Sequence, residues 1–202
     1  MNIPEDRLQD EIQQLDSENE ALRNEIRSLR RFIDSMQNLM EAVEHPLPDV
    51  ELMDLLTRVL ANALETIDAD NGSLLVLDED TGELVFVITH GDIAHEQLAW
   101  RRLPPGEGIA GWVVKNRRAT IVNDAQVDDR FYPGVDKELG FHTRSVLAAP
   151  IIGASRVLGV IEVLNKHEGK LFSVADQTLL TLMCRFSGEL LSAMIQQNQQ
   201  KK

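Results

Sequence analysis

RFYPGVDKELGFHTRSVLAAPIIGASRVLGVIEVLNK, residues 130–166, decides how this chain is read. Its first part is aromatic and polar, with Phe131, Tyr132, Asp136 and Thr143. Two strands follow, 145–152 and 157–164, joined by a turn at Gly153-Ala154-Ser155. The first strand is almost wholly apolar, and the second carries one carboxylate, Glu162, among Val, Ile and Leu. A carboxylate in such a strand is costly to bury unless it meets a donor. A polar segment folding over a sheet is one way to close a small-molecule pocket. The stretch therefore predicts a ligand-sensing domain and not an enzyme.

The flanking sequence supplies the rest of a mixed fold. SLLVLDEDTGELVFVITH, residues 73–90, alternates as a hairpin with its turn at 78–82. A further strand is expected near 97–103, then a loop at Pro104-Pro105-Gly106. Gly108 opens a short helix, and 119–122 reads as a short strand. Asp49 is placed to cap a helix reaching Ile67. The last helix is expected from Ser173 to about Gln196, with Asp176 completing a capping-box-like start. The class is α+β.

Residues 5–44 carry a different pattern. Leu8, Ile12, Leu15, Asn19, Leu22, Ile26, Leu29, Ile33, Met36, Met40 and Val43 recur at alternating spacings of four and three. Ile12, Ile26 and Ile33 fall at a, and Leu8, Leu15, Leu22 and Leu29 at d. That choice favours a parallel two-stranded coiled coil, with Asn19 helping to fix register. Glu18 can face Arg23, and Glu25 can face Arg30, across such a dimer; Glu11 against Asp16 is a mismatch. The helix would extend about 60 Å at 1.5 Å per residue. His45-Pro46-Leu47-Pro48 ends it, because proline removes donors and restricts its predecessor. The expected organisation is a dimerisation helix and linker at 1–48, a sensing domain at 49–198 and a frayed tail at 199–202.

Composition narrows the function. The 202 residues carry a net charge of −13, which argues against nucleic-acid binding. Three arginine pairs, Arg30-Arg31, Arg101-Arg102 and Arg117-Arg118, read as solvated surface. The single cysteine, Cys184, makes no intrachain disulfide and reads as a packed thiol. The N-terminus lacks the apolar run of a signal peptide, and no segment reads as a membrane span. A cytoplasmic protein without a membrane partner is expected.

GEGIAGWV (106–113), the 131–147 segment, LGVIEVLNK (158–166) and the order of elements resemble the GAF domain family. The resemblance covers about 49–198. It implies a central antiparallel sheet with helices on one face and a ligand pocket on the other. The cyclic-nucleotide-binding branch found in phosphodiesterases and adenylyl cyclases is the more similar one. That branch carries an Asn-Lys, Phe, Asp-Glu pattern, matched here by Asn165, Lys166, Phe172 and Asp176, with Gln177 in place of Glu. These four are implied to support the pocket, through a Lys166–Asp176 ion pair. The implied ligand-contacting positions are Ser73, His90, Ile109, Ala110, Tyr132, Asp136, Thr143 and Glu162. The sequence departs from the branch at Thr89 and His90, where an aromatic residue and a base-reading Asp are expected, and at Leu139, where a Thr is expected.

No nucleophile–base–orienter set appears, and no metal-ligand cluster or cofactor is expected beyond a possible cyclic nucleotide ligand. His90 and His142 are the candidates for a haem axial ligand, and both read as wall residues. Trp112 is expected in the core beside Gly111, and Trp100 partly exposed. The expectation is a homodimeric sensor signalling to an effector on another chain. The alternative is a ligand-free scaffold for dimerisation or partner docking.

Overall fold

A computed structural model describes residues 5–44, 52–92 and 98–200. A six-stranded antiparallel sheet runs in the order β3-β2-β1-β6-β5-β4. The strands are β1 (Asn71–Leu77), β2 (Leu84–His90), β3 (Arg102–Leu103), β4 (Thr120–Val122), β5 (Val146–Gly153) and β6 (Arg156–Leu164). The long helices are α1 (Glu5–Glu44), α2 (Leu52–Ile67) and α5 (Val174–Gln200); two short ones, α3 (Gly108–Asn116) and α4 (Gly134–Leu139), lie between β3 and β5 in the chain.

The pleat divides the apolar residues into two cores. Leu74, Leu147, Ala149, Ile151, Ile161 and Val163 face α2 and α5. Leu75, Phe86, Ala148 and Val160 face α3 and the 131–141 segment. Both hairpin turns follow local chemistry. The Asp78 carboxylate accepts from the Asp80 and Thr81 amides at 3.1 and 3.2 Å. Ala154 and Ser155 both take positive φ, 46° and 62°, as a two-residue hairpin turn of right-handed twist requires.

The last helix starts as a reciprocal capping box. Ser173 Oγ accepts from the Asp176 amide at 3.2 Å, and Asp176 accepts from the Ser173 amide at 2.7 Å. Contrary to expectation, its Val174–Gln196 portion is apolar and long enough to cross a membrane by length and composition. Its apolar positions are spent otherwise: Leu179, Leu180, Met183, Cys184 and Leu191 are buried against the sheet. Burial pushes the Cys184 thiol far up, which leaves it an inert packed group.

α1 presents two faces. Arg31, Phe32, Ser35 and Met36 turn toward the domain, where Phe32 and Met36 pack on the core and Ser35 is buried. Arg31 donates to the Glu65 carbonyl at 2.6 Å and pairs with Asp68 at 3.6 Å. The seam residues Leu8, Ile12, Leu15, Leu22, Ile26, Leu29 and Ile33 all stay about half exposed. Within one chain the heptad stripe is unused, and Met36 is the seam position drawn onto the domain.

Three local expectations change. The strand expected at 97–103 shortens to Arg102–Leu103, because Trp100 at φ 67° bends the chain away; Gln97 lies outside the described residues. The covering segment contains the short helix α4, closed by Gly140 in the left-handed region. Trp112 is half-buried, with the Arg130 and Arg118 guanidinium carbons 4.8 and 5.0 Å from its ring centre. Asp49 and residues 45–48, read as cap and linker, lie outside the described residues.

Candidate ligand-binding site

The site is a cavity between the sheet and α4. Its floor comes from four strands, β1, β2, β5 and β6, which place Ser73, Phe86, Val146, Glu162 and Leu164 inward. Ile109 and Ala110, in the first turn of α3, form one wall. The roof runs from Phe131 and Tyr132 through Val135, Asp136 and Leu139 to Phe141 and Thr143. About 70 Å³ is open to the centres of water-sized molecules, within about 620 Å³ of unoccupied space that includes the mouth.

Strand register explains the polar floor. Ser73 lies directly opposite Glu162 across β1 and β6, and Ala148 lies opposite Glu162 on the other side. Directly opposed residues share a face, so the carboxylate stands between a hydroxyl and a small methyl. Ser73 Oγ donates to Glu162 Oε2 at 3.4 Å, and the Ala110 amide donates to the same carboxylate. Burial outweighs both bonds and pushes the Glu162 pKa up to about 7. The Ala110 amide, in the first turn of α3, is thus already engaged by a side chain of the floor.

Asp136 has a stitching role. It accepts from the Thr143 amide at 2.8 Å and from Thr143 Oγ1 at 2.7 Å, closing the α4 segment onto the start of β5. Gln126 Nε2 reaches Asp136 at 3.4 Å and the Thr143 carbonyl at 2.8 Å. On the opposite side Arg101 pairs with Glu138 of α4. Tyr132 is partly exposed at the mouth.

Asn165 anchors the far end of the roof. Its Oδ1 accepts from the Arg144 amide at 2.7 Å and the Ser145 amide at 3.2 Å, and its Nδ2 donates to the His142 carbonyl at 2.9 Å. Lys166 Nζ meets Asp176 at 2.5 Å, tying the end of β6 to the first turn of α5. Phe172 is buried, and its backbone exchanges two hydrogen bonds with the Asn123 side chain, at 2.9 and 3.1 Å. Gln177 contributes a helix-start backbone bond to the Ser173 carbonyl.

Seven of the eight sequence-selected contact positions line this cavity: Ser73, Ile109, Ala110, Tyr132, Asp136, Thr143 and Glu162. His90 does not. It is exposed, opposite Gly72, on the face that α2 covers. The cause is a bulge where the β1–β2 register shifts. Val87 and Ile88 both enter the helix-side core, so the alternation that starts at Phe86 reverses before His90. The apolar lining Leu98, Leu103, Val135 and Phe141 was not singled out in the sequence. Its signal is diffuse, since these side chains lie on three separate segments.

The architecture and this pocket define a sensor-type α+β domain, and the chain belongs to the GAF domain family, whose model matches residues 49–191. Its similarity extends to a probable 3′,5′-cyclic phosphodiesterase of Caenorhabditis elegans, 28% identical over 149 residues. It is also similar to the dual 3′,5′-cyclic-AMP and -GMP phosphodiesterase 11 of Drosophila melanogaster, 29% identical over 153 residues. Each match covers 69% of this chain, but only 20% and 10% of those proteins. In fold the chain is similar to the GAF domain of a phosphoenolpyruvate-protein phosphotransferase from Coxiella burnetii. That match has a TM-score of 0.72 at 22% identity, covering 87% of this chain and 99% of the other.

Proposed function

We propose that this chain is a cytoplasmic, non-catalytic regulatory protein in which a small molecule, of the 3′,5′-cyclic nucleotide class, occupies the cavity beneath α4. Two copies pair through α1 as a parallel coiled coil, and the response passes to an effector on another chain. The observation that carries this reading is the covered, mainly apolar cavity with Ser73, Glu162 and the Ala110 amide converging on its floor. The relatives' names supply the ligand class. A physical route joins cavity and helix. Asn165 holds the roof; its neighbour but one, His167, donates its amide to the Asp68 carbonyl at 3.1 Å; and Asp68 pairs with Arg31 of α1. A ligand shifts α1 only to the extent that it binds the two arrangements with different affinity.

A thermal-shift titration with cyclic AMP and cyclic GMP tests the ligand. At 100 times the dissociation constant, binding adds about 2.7 kcal/mol. That raises the midpoint by about 5–10 °C for a domain of this size. Asp136→Ala should abolish the shift by releasing the roof from Thr143. The small void and the engaged Ala110 amide favour a second reading, a ligand-free scaffold. No shift with either nucleotide and no co-purified compound would decide for it.

The dimer is tested separately. Ile26 occupies an a position and is 49% exposed within one chain. Ile26→Glu should convert a dimer at micromolar concentration into a monomer in sedimentation velocity, because two buried carboxylates would face each other across the seam. A monomeric parent protein would refute the coiled coil.

A further inference from the structure

Three of the six paired arginines are answered by acids: Arg31 meets Asp68, Arg101 meets Glu138, and Arg102 meets Asp78 and Glu83. Among the described residues, Arg117 and Arg118 have no carboxylate within ion-pair distance, and neither has Arg185 on α5. Their partners are uncharged. Arg117 donates to the Ser155 carbonyl at 2.5 Å, and Arg118 lies over Trp112. In a chain of net charge −13, three such guanidinium groups converge on one surface groove.

The groove lies between the 117–119 segment and α5, over Pro150 and Ile152 of β5. It holds about 900 Å³ of space open to solvent. Thr178 and Leu182 lie four residues apart along α5, so they share a face, and Leu182 is 46% exposed. The floor is a sheet edge, since β4 pairs with β5 only from Val146 to Ala148. A partner strand finds that edge blunted. Pro150 has no amide to offer, and Arg117 already occupies the Ser155 carbonyl at its end. An apolar trough rimmed by cations on one side and by a helix on the other suits a helix of opposite charge.

We propose that this groove docks an acidic amphipathic helix of another polypeptide. Apolar side chains of that helix would lie on Leu182 and Ile152, and its carboxylates would meet Arg117, Arg118 and Arg185. The inference is independent of what the cavity binds, because the groove is on the helix-side edge of the sheet and shares no lining residue with it.

The experiment uses the full chain and a labelled peptide of about 15 residues, long enough to be marginally helical in water. It carries Leu at helical spacing and Glu elsewhere; a counterpart has Lys for every Glu. Fluorescence anisotropy should show binding of the Glu peptide only, weakening as salt rises. The double variant Arg118→Glu, Arg185→Glu should lower affinity by about tenfold or more, and Leu182→Glu should do the same. Arg118, Leu182 and Arg185 are exposed, so Leu182→Glu should retain the parent melting curve and the double variant should stay folded, losing only the contact of Arg118 with Trp112. Absence of Glu-peptide binding, equal binding of the Lys peptide, or affinity indifferent to these variants overturns the proposal. Loss of self-association in Leu182→Glu also overturns it, by assigning the face to a second copy of this chain.

Discussion

Gly188→Ala should destabilise the domain by about 3–5 kcal/mol, at the upper end of single-substitution effects. Alanine in place of glycine inside a helix normally gains about 1 kcal/mol. Here geometry overrides that gain. A Cβ on Gly188 would lie 2.2 Å from the Ile152 carbonyl oxygen and 2.4 Å from its carbon. The obstruction is backbone of β5, which no rotamer change relieves. The facing residue is equally constrained: a Cβ on Gly153 would lie 1.9 Å from the Gly188 carbonyl oxygen and 2.3 Å from Ser192 Oγ. α5 rests directly on the β5 backbone at this point, and any side chain must lift it from the core that Leu180, Met183 and Cys184 complete. A melting curve should move down by about 10 °C or more. A change within about 0.5 kcal/mol, the range of ordinary surface substitutions, would show that the helix and strand are not in contact there.

Glu162→Gln should stabilise the protein at alkaline pH and leave it nearly unchanged near pH 4. In the folded chain the carboxyl titrates at about 7, above its ordinary 4.5. The native state therefore holds this proton more tightly than the unfolded chain. The stability this provides is complete below about pH 4.5 and is lost as pH rises through 7. The gap corresponds to about 3 kcal/mol, at roughly 1.4 kcal/mol for each tenfold change in proton affinity. Glutamine keeps the shape and never ionises, so the parent and variant stabilities should diverge between pH 5 and 8. Urea denaturation across that range measures it. Parallel curves would mean that Glu162 is solvated in the folded protein. If the carboxylate is also a ligand contact, the same variant should bind less tightly while being more stable.

Much of the fold was legible because its signals are local. The four-three spacing from Leu8 to Val43 marks α1, an apolar run with one acid marks β6, and Ser173 with Asp176 marks the start of α5. In GEGIAGWV, Gly111 has a steric reason: a Cβ there would lie 2.4 Å from the Gly106 carbonyl carbon. What misled was register. His90 was placed in the pocket by the resemblance, and a bulge hidden in an unbroken apolar run, Val85 to Ile88, turns it to the other face. Trp100 ended a strand early through a left-handed φ that aromatic residues seldom adopt. Trp112, expected in the core beside Gly111, packs against that core but stays half-buried, with two guanidinium groups over its ring. Neither the α4 turn nor the Asp136–Thr143 clasp has a sequence pattern that separates it from a loop.

The attachment of α1 near Arg31, Phe32, Ser35 and Met36 has a mechanical consequence. The domain also meets Glu20, Asn24, Arg27 and Ser28 of α1, opposite Asp68, Lys166, Glu168 and Lys170, so it is the helix from Glu5 to Asn19 that projects beyond it, by about 22 Å at 1.5 Å per residue. A swing of about 5° there would carry the tip through roughly 2 Å, more than the rise of one residue along the helix. In the proposed dimer, a small adjustment at that contact is thus geared up into a displacement of the distal shaft, where the two copies would mesh.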